Sequence, residues 1–541
     1  MLSCRTIVYT TMLFAIGGCS GSGGNGSAPI YSIDLNFERV ESSSLNPFIV
    51  TATVRENSQL KGGIASDIGI VLGRGSRNAI SEISTGLYQF TVTPKQTGEH
   101  KVTVNYGGIN KVATALVVSG VHTAWGQPQS VSGLVNTAGY EDGVTITPDG
   151  EYLFVQYGPI YFSALQFFNA PRAIGGCEGH RLEFPLGTPE RCTHEWFDNT
   201  IGPYVGPERP GFFDGRFSGT THLHNANSWG LGVEESPIFA PSTMFYGFKK
   251  QADGSFAEPF YLAFDDMNDG IINPYGLSFM LHGDGTATAL YVIDDPTDPD
   301  MVDLNGDGSL YVQSIFDVFT SEITLGQNNN LGTFVASGTP GTPPVRSTPF
   351  PSQLVNFGKT GIDGIAGTQG NPHLYETGGS IQSIWTDDEH DARGPGSDRG
   401  EISVYLQISG IFPNGTWTKV TLPTVVNQPS PIDEIQPFYT GNGLYFTRMS
   451  DVDLPEIFHS PYTGTHSVTD FSNAGSWGTP EVILSVGNAD AVGKITAIGE
   501  PTIANVGGTE YLYFVYGIIR GYDAMSGFAD INMQAGFVKK K

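Results

Sequence analysis

The chain has 541 residues, of which 39% are hydrophobic and 11% aromatic, with 71 Gly, 34 Pro and a formal charge of −27. That length leaves room for about two or three domains, and the composition favours turns and strands over long helices. So acidic a surface repels phosphate backbones, which argues against nucleic acid as a partner; it suits solvation in a salty medium.

The first segment reads as a targeting signal. Arg5 supplies the positive end, and Thr6–Ile16 (TIVYTTMLFAI) form an apolar core too short to span a bilayer. Gly17 and Gly18 then lead directly into Cys19. Small residues followed by Cys resemble the lipobox of bacterial lipoproteins. The resemblance implies that residues 1–18 are cleaved and that Cys19 becomes the lipidated first residue. Ser20, rather than Asp, follows it. In Gram-negative families that implies sorting to the outer membrane, facing either the periplasm or the cell surface. The membrane would be reached through the lipid anchor only. An ordinary secretory signal is the alternative. Residues 19–30, which hold SGSGGNGSAP, make a flexible tether.

Residues 31–119 alternate as half-exposed strands do. FIVTATV (Phe48–Val54), LYQFTVTP (Leu87–Pro94) and EHKVTVNY (Glu99–Tyr106) each place their apolar residues on one face. The run GLYQFTVTPKQTGEHKVTVNYGG resembles the paired late strands of bacterial immunoglobulin-like and filamin-type modules. That implies a β-sandwich of about 90 residues, serving as spacer or contact module.

Residues 121–541 repeat themselves. Segments opening at Ala124, Ser255, Thr416 and Ser476 each carry an aromatic (Trp125, Phe256, Trp417, Trp477), a loop, an acidic or amide residue, a short apolar strand, a Gly turn and an aromatic strand. Two more copies, from Glu234 and Gly370, lack the opening aromatic. Repeats of this kind predict an all-β chain ending in a six-bladed β-propeller, seven-bladed if residues 166–228 or 310–360 hold another blade. The run TPDGEYLF (Thr147–Phe154) resembles the SPDG repeat of TolB-type propellers, degraded to TGNG at Thr440–Gly443 and NVGG at Asn505–Gly508. That resemblance implies a fold and not a chemistry.

In a propeller the first strand of each blade lines the central channel. The residues entering those strands are Glu141 and Asp142, Glu234 and Glu235, Asn273, Asn371 with His373, Asp433 and Glu434, and Glu500. They are expected to ring a water-filled funnel and so to avoid the cost of buried charge. Two roles compete. The carboxylates either accept backbone N–H bonds from the next blade, or form a site with Asp142, Glu235, Glu434 and Glu500 as candidate acids and bases. Five-bladed glycoside hydrolases place three carboxylates in such a funnel. The chain resembles them in that layout, and a count of six differs.

Three further features stand out. In DLNGDGSLY, Asp303, Asn305 and Asp307 have the spacing of an EF-hand-like or dockerin-like Ca2+ loop, with Ser314 where Glu usually stands. Such an ion would be structural. The run Thr386–Glu401 is a second acidic loop that reads as solvated. A long insertion at about residues 167–229 holds Cys177 and Cys192, which pair as a disulfide in an exported protein unless they join His180 or His194 on zinc. His222 and His224 lie on one side of a strand there, as a metal edge or as the base of a polysaccharide lyase; a loop that caps the channel is the plainer alternative. The function favoured is binding of a glycan or a cell-envelope protein at the funnel face. The alternative is a carbohydrate-active enzyme, a hydrolase using the funnel carboxylates or a lyase using His222 and His224.

Overall fold

A computed structural model describes residues 29–40, 45–136, 140–158, 244–262, 275–294, 300–302, 311–313, 316–326, 353–355, 368–389, 400–429, 432–450, 454–487, 492–522 and 529–541. Within them the protein is all-β. The α-helix there is a single turn, Val468–Phe471, capped by Ser467, whose hydroxyl accepts the Asp470 N–H.

The alternating apolar residues of the N-terminal segment fill one core from two sheets. One sheet orders Tyr31–Arg39, Phe48–Glu56, Leu87–Thr93 and Ser76–Arg77 side by side. Phe48, Val50, Ala52 and Val54 point inward from it and meet Val102, Val104, Ala115 and Val117 of the second sheet. That second sheet, made of Gly69–Leu72, Gly98–Tyr106 and Ile109–Val117, does not end there. Gln129–Ser130 pairs with Ile109–Val117 on one side and with Ala529–Lys539 on the other. The boundary expected near residue 120 is therefore crossed by a continuous sheet. Because side chains alternate along a strand, Ile109–Val117 serves two cores: Ala115 and Val117 face the N-terminal one, Leu116 the C-terminal one.

Five successive antiparallel sheets follow, here I to V. Sheet I holds Tyr140–Ile146, Tyr152–Gly158, Met244–Lys250 and Phe256–Leu262. Sheet II begins at Tyr275–Leu281, sheet III at Thr368–Thr377, sheet IV at Ile432–Tyr439 and sheet V at Ile495–Val506. Each first strand touches the first strands of the sheets before and after it, and that of sheet V touches that of sheet I, so the five close a ring. Hydrophobic clusters fill the gaps. Phe154 and Phe279 pack between sheets I and II, Leu290 and Ile384 between II and III, Trp385 and Phe446 between III and IV, and Ile457 and Ile498 between IV and V. The sheets borrow their last strands from before residue 131: Gly120–Val121 adds to sheet IV and Gln129–Ser130 to sheet V.

The sequence predicts six such units, and the described residues hold five. The copy read from Glu234 is the difference. Its apolar run Met244–Lys250 is the third strand of sheet I, paired with Tyr152–Gly158.

Candidate functional site

The five inner strands share one distortion. Gly143, Gly276, Asn371, Gln436 and Glu500 all have left-handed backbone, with φ of 58°, 58°, 38°, 56° and 56°. At each of these points the register with the second strand slips, between Asp142 and Thr145, Tyr275 and Leu277, Gly370 and His373, Ile435 and Phe438, and Gly499 and Thr502. A β-bulge of this kind re-aims side chains. Glycine meets the geometry without cost at Gly276, where a Cβ would sit 2.7 Å from the Asn371 Cα. Gln436 and Glu500 have no such freedom, and each costs about 1–3 kcal/mol there. The residue after the bulge is Val144, Leu277, Pro372, Pro437 or Pro501.

All five bulges line a single axial cavity of about 40 Å³, room for a few waters. Thr145 Oγ1 donates to Leu277 O across sheets I and II at 2.6 Å, and Leu374 N–H donates to Ser278 Oγ across II and III at 3.1 Å. His373 Nε2 donates to Tyr439 O at 2.9 Å, which leaves Nδ1 as acceptor for the Ser278 hydroxyl at 3.3 Å. Burial holds that imidazole down at about 4, so it is neutral.

The chemistry concentrates where sheets V and I meet. Glu500 Oε2 accepts the Val144 N–H at 3.3 Å, and Glu500 Oε1 accepts Gln436 Nε2 at 3.1 Å. Asp142 and Glu500 are joined carboxyl to carboxyl. Burial pushes Asp142 up to about 6, against the hydrogen bonds from Glu500 and the Gly143 N–H. Burial and the charge of Asp142 lift Glu500 well above the usual carboxylate range, against the N–H groups of Gly143 and Val144. Two like charges this close cannot both ionise cheaply, so near neutral pH the pair holds one proton.

A third carboxyl belongs to the same network. Asp387 Oδ2 accepts Asn371 Nδ2 at 2.7 Å and the Gln436 backbone N–H at 2.8 Å. The sequence predicts a solvated loop for the stretch that begins at Thr386; in the structure Asp387 lies inside the second strand of sheet III, Ser380–Glu389, and is 3% exposed. Gln436 thus stands between Asp387 and Glu500.

Other expected rim residues lie elsewhere. Glu434 is not a solvated rim group. Its side chain is fully buried, paired with Arg448 Nε at 2.7 Å, and accepts the Gln428 N–H at 3.0 Å. Burial pushes its carboxyl up to about 7 against the pull of Arg448. The cation solvates the carboxylate in place of water, which is how a charge can sit in an apolar wall. Glu141 is likewise fully buried. Asp433 Oδ1 accepts the Gly400 N–H at 3.2 Å and ties sheet IV to sheet III. Glu234, Glu235, Asn273, His222, His224, Asp303, Asn305, Asp307, Cys19, Cys177 and Cys192 lie outside the described residues.

Three residues of this network escape a linear reading: Asp387, Gln436 and Thr447, whose hydroxyl donates to Gln436 Oε1 at 2.6 Å. A signal for one exists. Asn371-Pro372, Gln436-Pro437 and Glu500-Pro501 fall in register once the repeats are aligned on the residue before proline.

No family model and no curated protein matches the chain. Solved structures that resemble it include Zg3597, a family 117 glycoside hydrolase produced by the marine bacterium Zobellia galactanivorans, at 10% identity over 76% of this chain and 89% of that one, TM-score 0.36. The α-L-arabinofuranosidase from Lactobacillus brevis aligns at 9% identity over 54% and 82%, TM-score 0.32. The Cellvibrio cellulosa α-L-arabinanase complexed with arabinohexaose aligns at 10% identity over 54% and 88%, TM-score 0.26.

Proposed function

We propose that the chain is a glycan-active hydrolase built on a five-bladed β-propeller, with its chemistry at the axial cavity. The five sheets are its blades, and the N-terminal pair of sheets is an immunoglobulin-like sandwich fused to the fifth. The observation that carries the function is the Asp142–Glu500 pair, two buried carboxyls hydrogen-bonded to one another beside a water-sized cavity lined by all five inner strands. Cleavage of a glycosidic bond needs a carboxylic acid still protonated near neutral pH and a second carboxyl about 5–10 Å away. The pair supplies the acid. Asp387 supplies the second group, set apart from Glu500 by the length of Gln436. With five such sheets among the described residues, the likeness to the three-carboxylate funnel of five-bladed glycoside hydrolases gains weight. The TolB-type repeat accounts for the turns and the lipobox for delivery to the outer membrane.

The test is a polysaccharide panel with reducing-end detection, run on the whole chain and on Glu500→Gln. Release of reducing ends by the parent and a fall of about 100-fold or more in the variant, with the melting temperature at pH 5 kept, supports the proposal. Binding without turnover would reduce it to a glycan receptor. A rise in absorbance near 235 nm would make it a lyase. Cleavage of a protein panel instead would assign the directly bonded pair to peptide hydrolysis.

A further inference from the structure

We propose that Gln436 is a positioning residue that fixes Asp387 and Glu500 relative to one another, so that one residue sets how the shared proton is held. The inference deepens the hydrolase reading and rests on it for its catalytic half. Every polar group of Gln436 named here is committed. Its backbone N–H goes to Asp387 Oδ2 at 2.8 Å and its Nε2 to Glu500 Oε1 at 3.1 Å. Its Oε1 accepts both the Glu500 N–H at 2.9 Å and the Thr447 hydroxyl at 2.6 Å. Two donors aimed at that oxygen fix which end of the amide faces Glu500. The side chain cannot turn over without losing three hydrogen bonds at once. Gln436 also holds φ at 56°, a strained position for a residue with a side chain. That conformation lets one residue offer its backbone to sheet III and its amide to sheet V.

The chemical consequence follows from the donor on Glu500 Oε1. An N–H aimed at a carboxylate oxygen favours the charged form. Without it the Asp142–Glu500 pair grips its proton harder. Glu500 meets Asp142 from sheet I and the Gln436 amide from sheet IV, while His373, which lines the cavity from sheet III, stays neutral.

The experiment compares the parent with Gln436→Met, which keeps the volume and removes the donor. Carboxyl carbons are followed by 13C NMR from pH 4 to 9, with Glu500→Gln used to assign the pair. The titration of the pair is expected to move up by about one pH unit, the worth of one hydrogen bond to a charged group. Thr447→Val, which frees the amide without removing it, is expected to move it the same way by less, and it covers the case that Gln436→Met does not fold. A titration unmoved in the folded variants overturns the positioning role. On a glycan that the parent cleaves, the alkaline limb of the pH–rate profile should rise with the titration. A titration that moves while that limb stays put keeps the positioning role and removes the pair from the reaction.

Discussion

Two buried carboxylates of the inner strands show opposite ways of living out of water. Glu434, in sheet IV, has Arg448 against it and the Gln428 N–H on its other oxygen, and its charge is spent on the fold. Glu500, in sheet V, has no cation among its named partners; its neighbour is another acid, and the two share a proton instead. The first arrangement is closed. The second keeps a labile proton beside a cavity, at a strained residue. Acidity at the start of an inner strand therefore does not by itself mark a site; what neutralises it does.

The contrast breaks most sharply at the cation. Arg448→Met removes the cation that pulls the buried Glu434 carboxyl down, so that the carboxyl takes up a proton near neutral pH, and is expected to cost about 3 kcal/mol, the low end for a broken buried pair, read as a fall in midpoint in a denaturant series. Equal stability of parent and variant would show that the pair is not what tolerates the charge.

The shared proton gives the next effect. The folded proton affinity of Asp142 is raised, so the stability it adds is fully present below the ordinary carboxylate range and is lost as pH climbs through about 6. The loss is of order 2 kcal/mol once partial solvent contact is allowed for. Melting temperatures from pH 4 to 8 should therefore decline in the parent. Glu500→Gln should make the decline shallower without abolishing it, because the Glu500 carboxyl no longer titrates while burial still raises Asp142. A parallel decline in the variant would refute the shared proton.

The smallest effect concerns the seam between the N-terminal sheets and sheet V. The Tyr516 hydroxyl bridges Glu99 Oε1 at 2.8 Å, Ser130 Oγ at 3.2 Å and Gln534 Oε1 at 2.8 Å. Tyr516→Phe is expected to cost about 1 kcal/mol while leaving the Asp142–Glu500 titration unchanged. A shift in that titration would mean that the seam and the cavity are coupled.

Much of this was legible in the sequence because it is local. Alternation in Phe48–Val54 and Glu99–Tyr106 placed those strands. Thr147-Pro148-Asp149-Gly150 announced its turn, where Asp149 Oδ1 accepts the Thr147 hydroxyl and the Glu151 N–H and Gly150 takes φ 74°. What depends on register was not legible. The partner of Glu434 lies fourteen residues on, opposite it only once the two strands pair. The copy opening at Glu234 looked like a unit of its own because residues 159–243 separate its run Met244–Lys250 from the strand that run joins. Asp387 looked like part of a charge run, and the fold buries it. The sheet that runs through Gln129–Ser130 joins segments some 400 residues apart, and no local pattern reports that.

The most direct measurement sets Asp142→Asn beside Glu434→Gln, with turnover on a cleaved glycan and thermal melts taken on the same samples at pH 5 to 8. Asp142→Asn is expected to keep its fold at pH 7 and lose most of its turnover. Glu434→Gln is expected to lose about 1–3 kcal/mol of stability and keep its turnover per folded molecule. Equal turnover losses in both, or full turnover in Asp142→Asn, would contradict the assignment of the shared-proton pair as the working site.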